Sequence, residues 1–343
     1  MNYLGIDVHS RTSTWCLLNP QGEICGRGRV PTTEAGLTDL VAEAGAKERF
    51  CAGQEVGSYA YFVYDTFSDL GVDIVSFNAQ HLKMIASSRK KSDRRDAYWI
   101  AKSIQTGMMP HPVYIPAGDQ RELRQRLARR ERVKRDRNRL VLRVRGLLKS
   151  LGLRPEPRVA GVKAFLLNHV DSLPAFYVET LRFYGQQIDV LEETLKRFDR
   201  DIQDATRNID AIRRLMTIPG IGWLSGATIY AWVADIARFP SARHLASYAG
   251  LVPTVRQSGQ SNYLGHITKQ GSPQLRALLI QCAQTVSISR SVRAAGLRDT
   301  FGRVRKTRGR YKIAVVALAR HLLRIAYYVL RDDTEFDPRR VLK

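Results

Sequence analysis

Four carboxylates stand out in a chain that otherwise carries a large excess of positive charge: Asp7, Glu55, Asp93 and Asp96. Asp7 lies in the apolar run Leu4-Gly5-Ile6-Asp7, and Glu55 closes a second run at Gln54-Glu55-Val56-Gly57. Asp93 and Asp96 are three residues apart in Ser92-Asp93-Arg94-Arg95-Asp96-Ala97, a spacing that puts both on one face of a helix. An ionised carboxylate inside an apolar strand is costly unless it is paired or holds a cation. Magnesium takes hard oxygen ligands, and two ions can clamp the attacking and leaving oxygens of a phosphodiester. These positions therefore point to metal-assisted phosphoryl transfer. Taken singly each acid is weak evidence, since Asp93 and Asp96 sit among Arg89, Lys90, Lys91, Arg94 and Arg95 and simple ion pairing is the plain alternative.

The elements that must position these acids are legible in the first hundred residues. Asn2 to Val8 and Thr12 to Leu18 are β-prone, a turn at Asn19-Pro20-Gln21-Gly22 follows, and Glu23 to Val30 completes a third strand. Thr32 or Thr33 can cap a helix running to about Ala44. Arg49 to Glu55 reads as a strand, Ser58 to Leu70 as an amphipathic helix and Val72 to Phe77 as a strand. A helix from about Ser92 to Gly107 has Ala97, Ile100, Ala101 and Ile104 on its apolar face. The order βββαβαβα is that of the ribonuclease-H-like fold. There the first and fourth strands are parallel neighbours, so Asp7 and Glu55 are expected side by side, with Asp93 and Asp96 brought up by the last helix.

Beyond a Pro-rich linker at 109–116, Arg121 to Lys149 holds thirteen Lys or Arg and three acids, with one apolar stripe of Leu123, Leu127, Leu140, Val144, Leu147 and Leu151. A solvated helix is the bland reading, and so dense a charge favours phosphate contact. A second helix spaces Ile188, Leu191, Leu195, Phe198, Ile202, Ala205, Ile209 and Ile212 by threes and fours, a coiled-coil seam. Its partner is either the basic helix or a second subunit. The third region opens at Ile218-Pro219-Gly220-Ile221-Gly222, which resembles the turn of helix-hairpin-helix DNA-binding motifs, with a plain helix–helix turn as the alternative. An irregular Gly/Ser-rich stretch, 257–271, precedes helices at Pro273–Ser289 and Tyr311–Leu330; between them lies the basic segment Arg303 to Arg310.

Composition narrows the classes. The 55 Lys and Arg against 32 Asp and Glu give a net charge of +23, whose self-repulsion is relieved by a polyanion, so nucleic acid is the leading partner. The longest clean apolar run, Ile313 to Ala319, is too short to span a membrane, so no membrane partner is expected. No secretory signal is visible, and Cys16, Cys25, Cys51 and Cys282 have no CxxC pairing, consistent with reduced thiols in a cytoplasmic protein. No Gly-x-x-x-x-Gly-Lys-Ser/Thr nucleotide loop occurs.

A family resemblance rests on several of these segments together. Leu4-Gly5-Ile6-Asp7-Val8-His9, Gln54 to Tyr59, Lys91 to Ala97, Ile218 to Gly222, Phe239, Ala246 to Pro253, Ser258-Gly259 and Ile267 to Arg276 resemble, in the same order, the DEDD transposases of the insertion-sequence 110 family, relatives of the pilin-gene invertase. The resemblance covers nearly the whole chain. It implies a RuvC-like metal-binding domain at 1–112, a basic helical coiled-coil region at 113–215 and a mainly helical transposase domain at 216–335. It implies that Asp7, Glu55, Asp93 and Asp96 hold Mg2+, two ions per site, and that Ser258 is the nucleophile, with Ser261 a nearby rival. It further implies guidance by a bridge RNA, action on donor and target double-stranded DNA, and a homotetramer built from homodimers whose active sites combine different subunits. Nucleic acid is then expected on Arg121, Arg124, Arg129, Arg132, Arg135, Arg139, Arg143, Lys269, Arg303, Arg305, Lys306, Arg308 and Arg310. The expected function is RNA-guided strand cleavage and exchange through a phosphoserine link, carried out in the bacterial cytoplasm at the nucleoid. A RuvC-like metal-dependent nuclease using activated water is the alternative, and a nucleic-acid packaging protein is the non-enzymatic one.

Overall fold

Asn2–Val8 (β1) is the strand on which the N-terminal unit is built, and in a computed structural model of the chain it lies at the centre of a five-stranded sheet. The structure describes residues 1–46, 48–78, 93–108, 112–153, 173–258 and 261–340, with the backbone alone at 255–258, 261–264 and 340. Two compact units divide the chain, Met1–Pro116 and Ala117–Lys343.

In the first unit the sheet order is β3-β2-β1-β4-β5. Thr12–Leu18 (β2) pairs antiparallel with β1 and with Ile24–Pro31 (β3), while Phe50–Glu55 (β4) pairs parallel with β1 and with Ile74–Phe77 (β5). Alternation along β1 gives its two faces different tasks. Leu4 and Ile6 point into a core with Leu37 and Leu40 of Glu34–Gly45 (α1) and Val63 and Phe67 of Ala60–Asp69 (α2). Gly5 meets Asp93–Gln105 (α3) on the other face. A Cβ there would stand 2.0 Å from the Ala97 carbonyl oxygen, and one on Gly53, its register partner in β4, would stand 2.4 Å from Ile104. This rung of two glycines lets α3 lie directly on the sheet. Of the two candidate caps for α1, Thr33 accepts from the Gly36 amide at 3.2 Å. Thr32 is instead buried, its hydroxyl donating to the His9 carbonyl at 2.8 Å and lying 2.9 Å from that of Ser13.

The second unit is helical apart from one ribbon. Gly118–Ser150 (α4) and Ala175–Thr206 (α5) form an antiparallel hairpin within the chain, which answers the question of the basic helix's partner. Leu140, Val144 and Leu148 pack on Leu181 and Ile188 at one end, and Leu123 and Leu127 pack near Ile202 at the other. No apolar residue of α4 is buried between Leu127 and Leu140. Arginine enters that interval, with Arg129 joining Arg126 on Asp201, Arg130 on Asp199, and the Arg129 guanidinium 4.0 Å over the Phe198 ring. The expected seam through Ile212 is shorter: α5 ends at Thr206, Ala205 is exposed, and Ile212 is buried from the next helix, Asp210–Met216 (α6).

Trp223–Val233 (α7), Ala242–Tyr248 (α8), Pro273–Ile288 (α9), Ala295–Arg308 (α10) and Tyr311–Arg331 (α11) build the largest core, with Leu318, Leu322 and Leu323 of α11 inside it. Although α11 is long and apolar enough to cross a membrane, its apolar face is spent on this core. One expectation is corrected here. The stretch expected to be irregular contains a ribbon, Pro253–Ser258 (β6) against Ser261–Ile267 (β7), whose Val255, Tyr263 and Ile267 suit extended backbone. The Arg303–Arg308 part of the basic segment is the end of α10, where the helix dipole favours cations, and Gly309 caps it at φ 64°. In the Pro-Gly turn, Gly220 has φ 83° and a Cβ there would stand 2.4 Å from Val286, so that glycine is explained by close packing on α9.

Candidate active site

The sheet and α3 bring three of the expected acids together. Asp7 follows Gly5 on the face covered by α3, and Asp93 and Asp96 stand in the first turn of that helix. Asp7 is half-buried at the end of β1. Burial pushes its carboxyl above the usual aspartate range, and the charges of Asp96 and Asp93 push the same way, while His9 opposes them. Glu55 follows Gln54, the register partner of Ile6, and lies opposite Phe77 of β5. It is thus on the rung of Asp7, half-buried.

His9 completes a group that residue spacing alone had not singled out. Its Nε2 lies 3.2 Å from Asp7 Oδ2 and 3.6 Å from Asp93 Oδ1. The ligand atoms of Asp7, His9 and Asp93 all fall within 4.8 Å of one another, a set able to hold a divalent metal. Glu55 and Asp96 are outside that set. The available signal was the Asp7-Val8-His9 alternation, which carries two donors to one face of an extended chain. Thr32 holds the His9 backbone, as described, and Arg29 of β3 donates to Asp93 Oδ2 at 3.3 Å. Two carboxylates and an imidazole, with a third carboxylate close enough to be felt at Asp7, are a donor set for a divalent ion.

Ser258 belongs to the second unit. The backbone sets it opposite Ser261 where β6 ends and β7 begins, and residues 259–260 between them lie outside the described residues. The ribbon is anchored by the two segments that flank it. The Thr268 amide donates to the Val252 carbonyl at 2.9 Å, the Ser272 amide to Tyr248 at 3.1 Å, and the Arg276 guanidinium to Ala249 at 3.0 Å. Lys269 is exposed beside it, with φ 56°.

The expected nucleic-acid arginines divide by what they already touch. Arg124 donates to the carbonyls of Ala231 and Trp232 at 2.7 and 3.2 Å. Arg129 is held by Asp201, Arg139 by Asp136 at 3.0 Å, and Arg135 donates to the Glu131 carbonyl at 3.4 Å. Arg121 and Arg132 lie on the same helix, and Arg143 lines a groove between α4 and α5 together with Phe183 and Val190. Arg303, Arg305, Lys306, Arg308 and Arg310 are exposed on and after the last turns of α10. All four cysteines are free thiols.

Two sequence profiles match the chain over the parts just described. Residues 4–152 match the DEDD transposase profile of the IS110 type, and residues 212–297 match the profile described as transposase IS116/IS110/IS902 family. The first span contains Asp7, Glu55, Asp93 and Asp96, and the second contains Ser258. A probable family 20 transposase of Pseudomonas aeruginosa is 31% identical over 260 residues, covering 72% of this chain and 75% of that protein. The transposase for insertion sequence element IS1111A of Coxiella burnetii is 27% identical over 290 residues, 82% of this chain and 77% of its own. The pilin gene-inverting protein of Moraxella lacunata is 37% identical over 126 residues, 36% and 38% of the two chains. With both profiles and these relatives falling on the sheet, the acids and the ribbon alike, the chain belongs to the IS116/IS110/IS902 family of insertion-sequence transposases.

Proposed function

We propose that this transposase cuts and rejoins DNA by attack of Ser258 on a phosphodiester, assisted by divalent metal, for which we infer Mg2+, at Asp7, Glu55, Asp93 and Asp96. The observation that carries the reading is the half-buried Asp7 in reach of His9 and Asp93, with the charge of Asp96 close by. Carboxylates pushed together at the end of a strand are unfavourable by themselves and favourable around a cation. Bound metal would neutralise the developing charge on the phosphate oxygens. In the attack the Ser258 hydroxyl loses its proton, its Oγ–phosphorus bond forms, and one phosphorus–oxygen bond of the strand breaks. The departing oxygen takes a proton and ends as a free hydroxyl. The bond is kept as a phosphoserine link, so a second hydroxyl can reverse the step and rejoin strands without ATP.

The finer arrangement belongs to the same reading. Residues 1–112 act as a RuvC-like metal domain, 113–215 as a helical arm and 216–335 as the serine-bearing domain. The acids and Ser258 meet from different subunits of a homotetramer built from dimers, and a bridge RNA selects donor and target DNA by base pairing, at the chromosome in the cytoplasm. A second reading, a metal-dependent nuclease with water as the nucleophile, draws on the assembly of Asp7, His9 and Asp93 within one unit. Ser258→Ala separates the two. The recombinase loses both strand exchange and a covalent protein–DNA adduct on denaturing gels, whereas a nuclease keeps cutting, which would sink the serine mechanism.

A further inference from the structure

The face of the sheet that carries Asp7 also carries a row of cations. Along one rung Arg29 of β3 is opposite Thr14 of β2, and Thr14 is opposite Asp7 of β1; along the next, Arg27 is opposite Cys16, itself opposite Gly5. Residues in register share a face, so Arg27 and Arg29 stand on the side covered by α3. Arg94 and Arg95 approach from the first turn of that helix. These four arginines, with Thr14, Cys16 and Tyr98, line a cavity of about 540 Å3. Among the described residues only Arg29 of the four has a carboxylate partner, Asp93. Arg94 and Arg95 stand at the positive end of a helix dipole, where cations are disfavoured and anions favoured. Four guanidinium groups converging on one cleft repel one another, and each presents the forked donors that match phosphate oxygens.

We propose that this cleft is a phosphate subsite that grips the backbone of a DNA strand next to the linkage cut at the acids. The assignment rests on the proposed function for the identity of that strand. The register supports it directly, since Arg29, Thr14 and Asp7 lie in sequence across one rung and a strand on the arginines leads toward the carboxylates. A cavity of this size takes about one or two nucleotides and not a duplex. The Tyr98 ring at its wall offers a base a surface to stack on.

The test is Arg27→Ala/Arg95→Ala in the full chain, binding a fluorescein-labelled oligothymidylate followed by anisotropy across about 50–200 mM salt. All four arginines are exposed or nearly so, so the melting temperature serves as the check that the variant folds. The slope of log affinity against log salt is expected to fall by about 1.4, roughly 0.7 per lost single-strand contact. Arg27→Lys/Arg95→Lys should keep the slope. Arg49→Ala/Lys102→Ala, at the opposite ends of β4 and α3, should leave it unchanged. An unaltered slope in the arginine variant, or an equal drop in the Arg49/Lys102 control, overturns the subsite. A drop on oligouridylate alone gives the cleft to RNA and overturns it too. Asp7→Asn keeps the two readings apart: if that variant still cuts, the metal mechanism fails, while the salt slope judges the cleft independently.

Discussion

The acid-bearing face of the first unit and the arginine hairpin of the second use charge in opposite ways. In the hairpin, arginines are engaged inside the chain: Arg126, Arg129 and Arg130 pair with Asp201 and Asp199, and Arg124 donates to a carbonyl of α7. On the face under α3, acids and cations stand side by side, Arg29 on the rung of Asp7, while Arg27 of β3 and Arg94 and Arg95 of α3 lack carboxylate partners among the described residues. The denser cation run, thirteen in Arg121–Lys149, is therefore the more committed one. Charge counted along a segment measures its total attraction for phosphate; cross-strand register and helix pairing decide how much of it is available.

That contrast is open to direct attack, beginning where the effect is largest. Asp7→Asn should cut strand cleavage by about a thousandfold, about 4 kcal/mol of barrier. The same change should raise the metal-free melting temperature at neutral pH. Because the folded carboxyl titrates above its ordinary 3.8, its cost is present above the folded pKa and vanishes once pH falls below 3.8. The gain in the asparagine variant should shrink over that window, and a gain that persists at the acid end would contradict the burial of this charge. Added Mg2+ should stabilise the parent and not the variant.

Next in size, Gly5→Ala should destabilise the first unit by about 1–3 kcal/mol through overpacking against the Ala97 carbonyl. A denaturant titration that finds it neutral would mean α3 does not rest on the glycine rung. Asp201→Asn probes the other side of the contrast. Releasing Arg129, and leaving Arg126 to Glu122 alone, should cost the hairpin about 1 kcal/mol or less and steepen the salt dependence of nucleic-acid binding. If the slope does not change, those arginines are unavailable even when unpaired.

The smallest effect concerns His321 in α11, which burial lowers to about 4, with Arg324 and Arg303 adding to the shift. A histidine whose folded pKa lies below its unfolded 6.5 costs stability as pH falls through that interval, fully so below the folded value. His321→Gln should flatten the loss of melting temperature between pH 6.5 and 4, and an identical pH profile would refute it. Asp7 and His321 thus shift in opposite directions for one reason, since burial disfavours whichever form is charged.

Much of the first unit was legible because each device acts locally. An apolar, β-prone run marks β1, the Asn19–Gly22 turn separates β2 from β3, and the three-residue spacing of Asp93 and Asp96 needs only helical geometry. What escaped depends on contacts across the chain. His9 becomes interesting only when α3 delivers Asp93 to it. The β6–β7 ribbon hides among Ser and Gly because its stability comes from pairing and from the loops that clamp its base. The seam on α5 was read past Thr206 because Ile209 and Ile212 keep the spacing although the chain turns just before them. Partners of individual arginines were equally out of reach, since a pair such as Arg130–Asp199 spans 69 positions.

The glycine rung at Gly5 and Gly53 has an evolutionary corollary. The height of α3 above the sheet is set by two missing side chains, and the two nearest atoms at Gly5, the Ala97 oxygen and the Ala101 nitrogen, belong to the backbone. Drift elsewhere in the helix can change its outer surface freely without lifting Asp93 or Asp96 from Asp7. A side chain added at Gly5 would press α3 outward and carry Asp93 and Asp96 away from Asp7, so a residue that touches no metal sets the spacing of those that would.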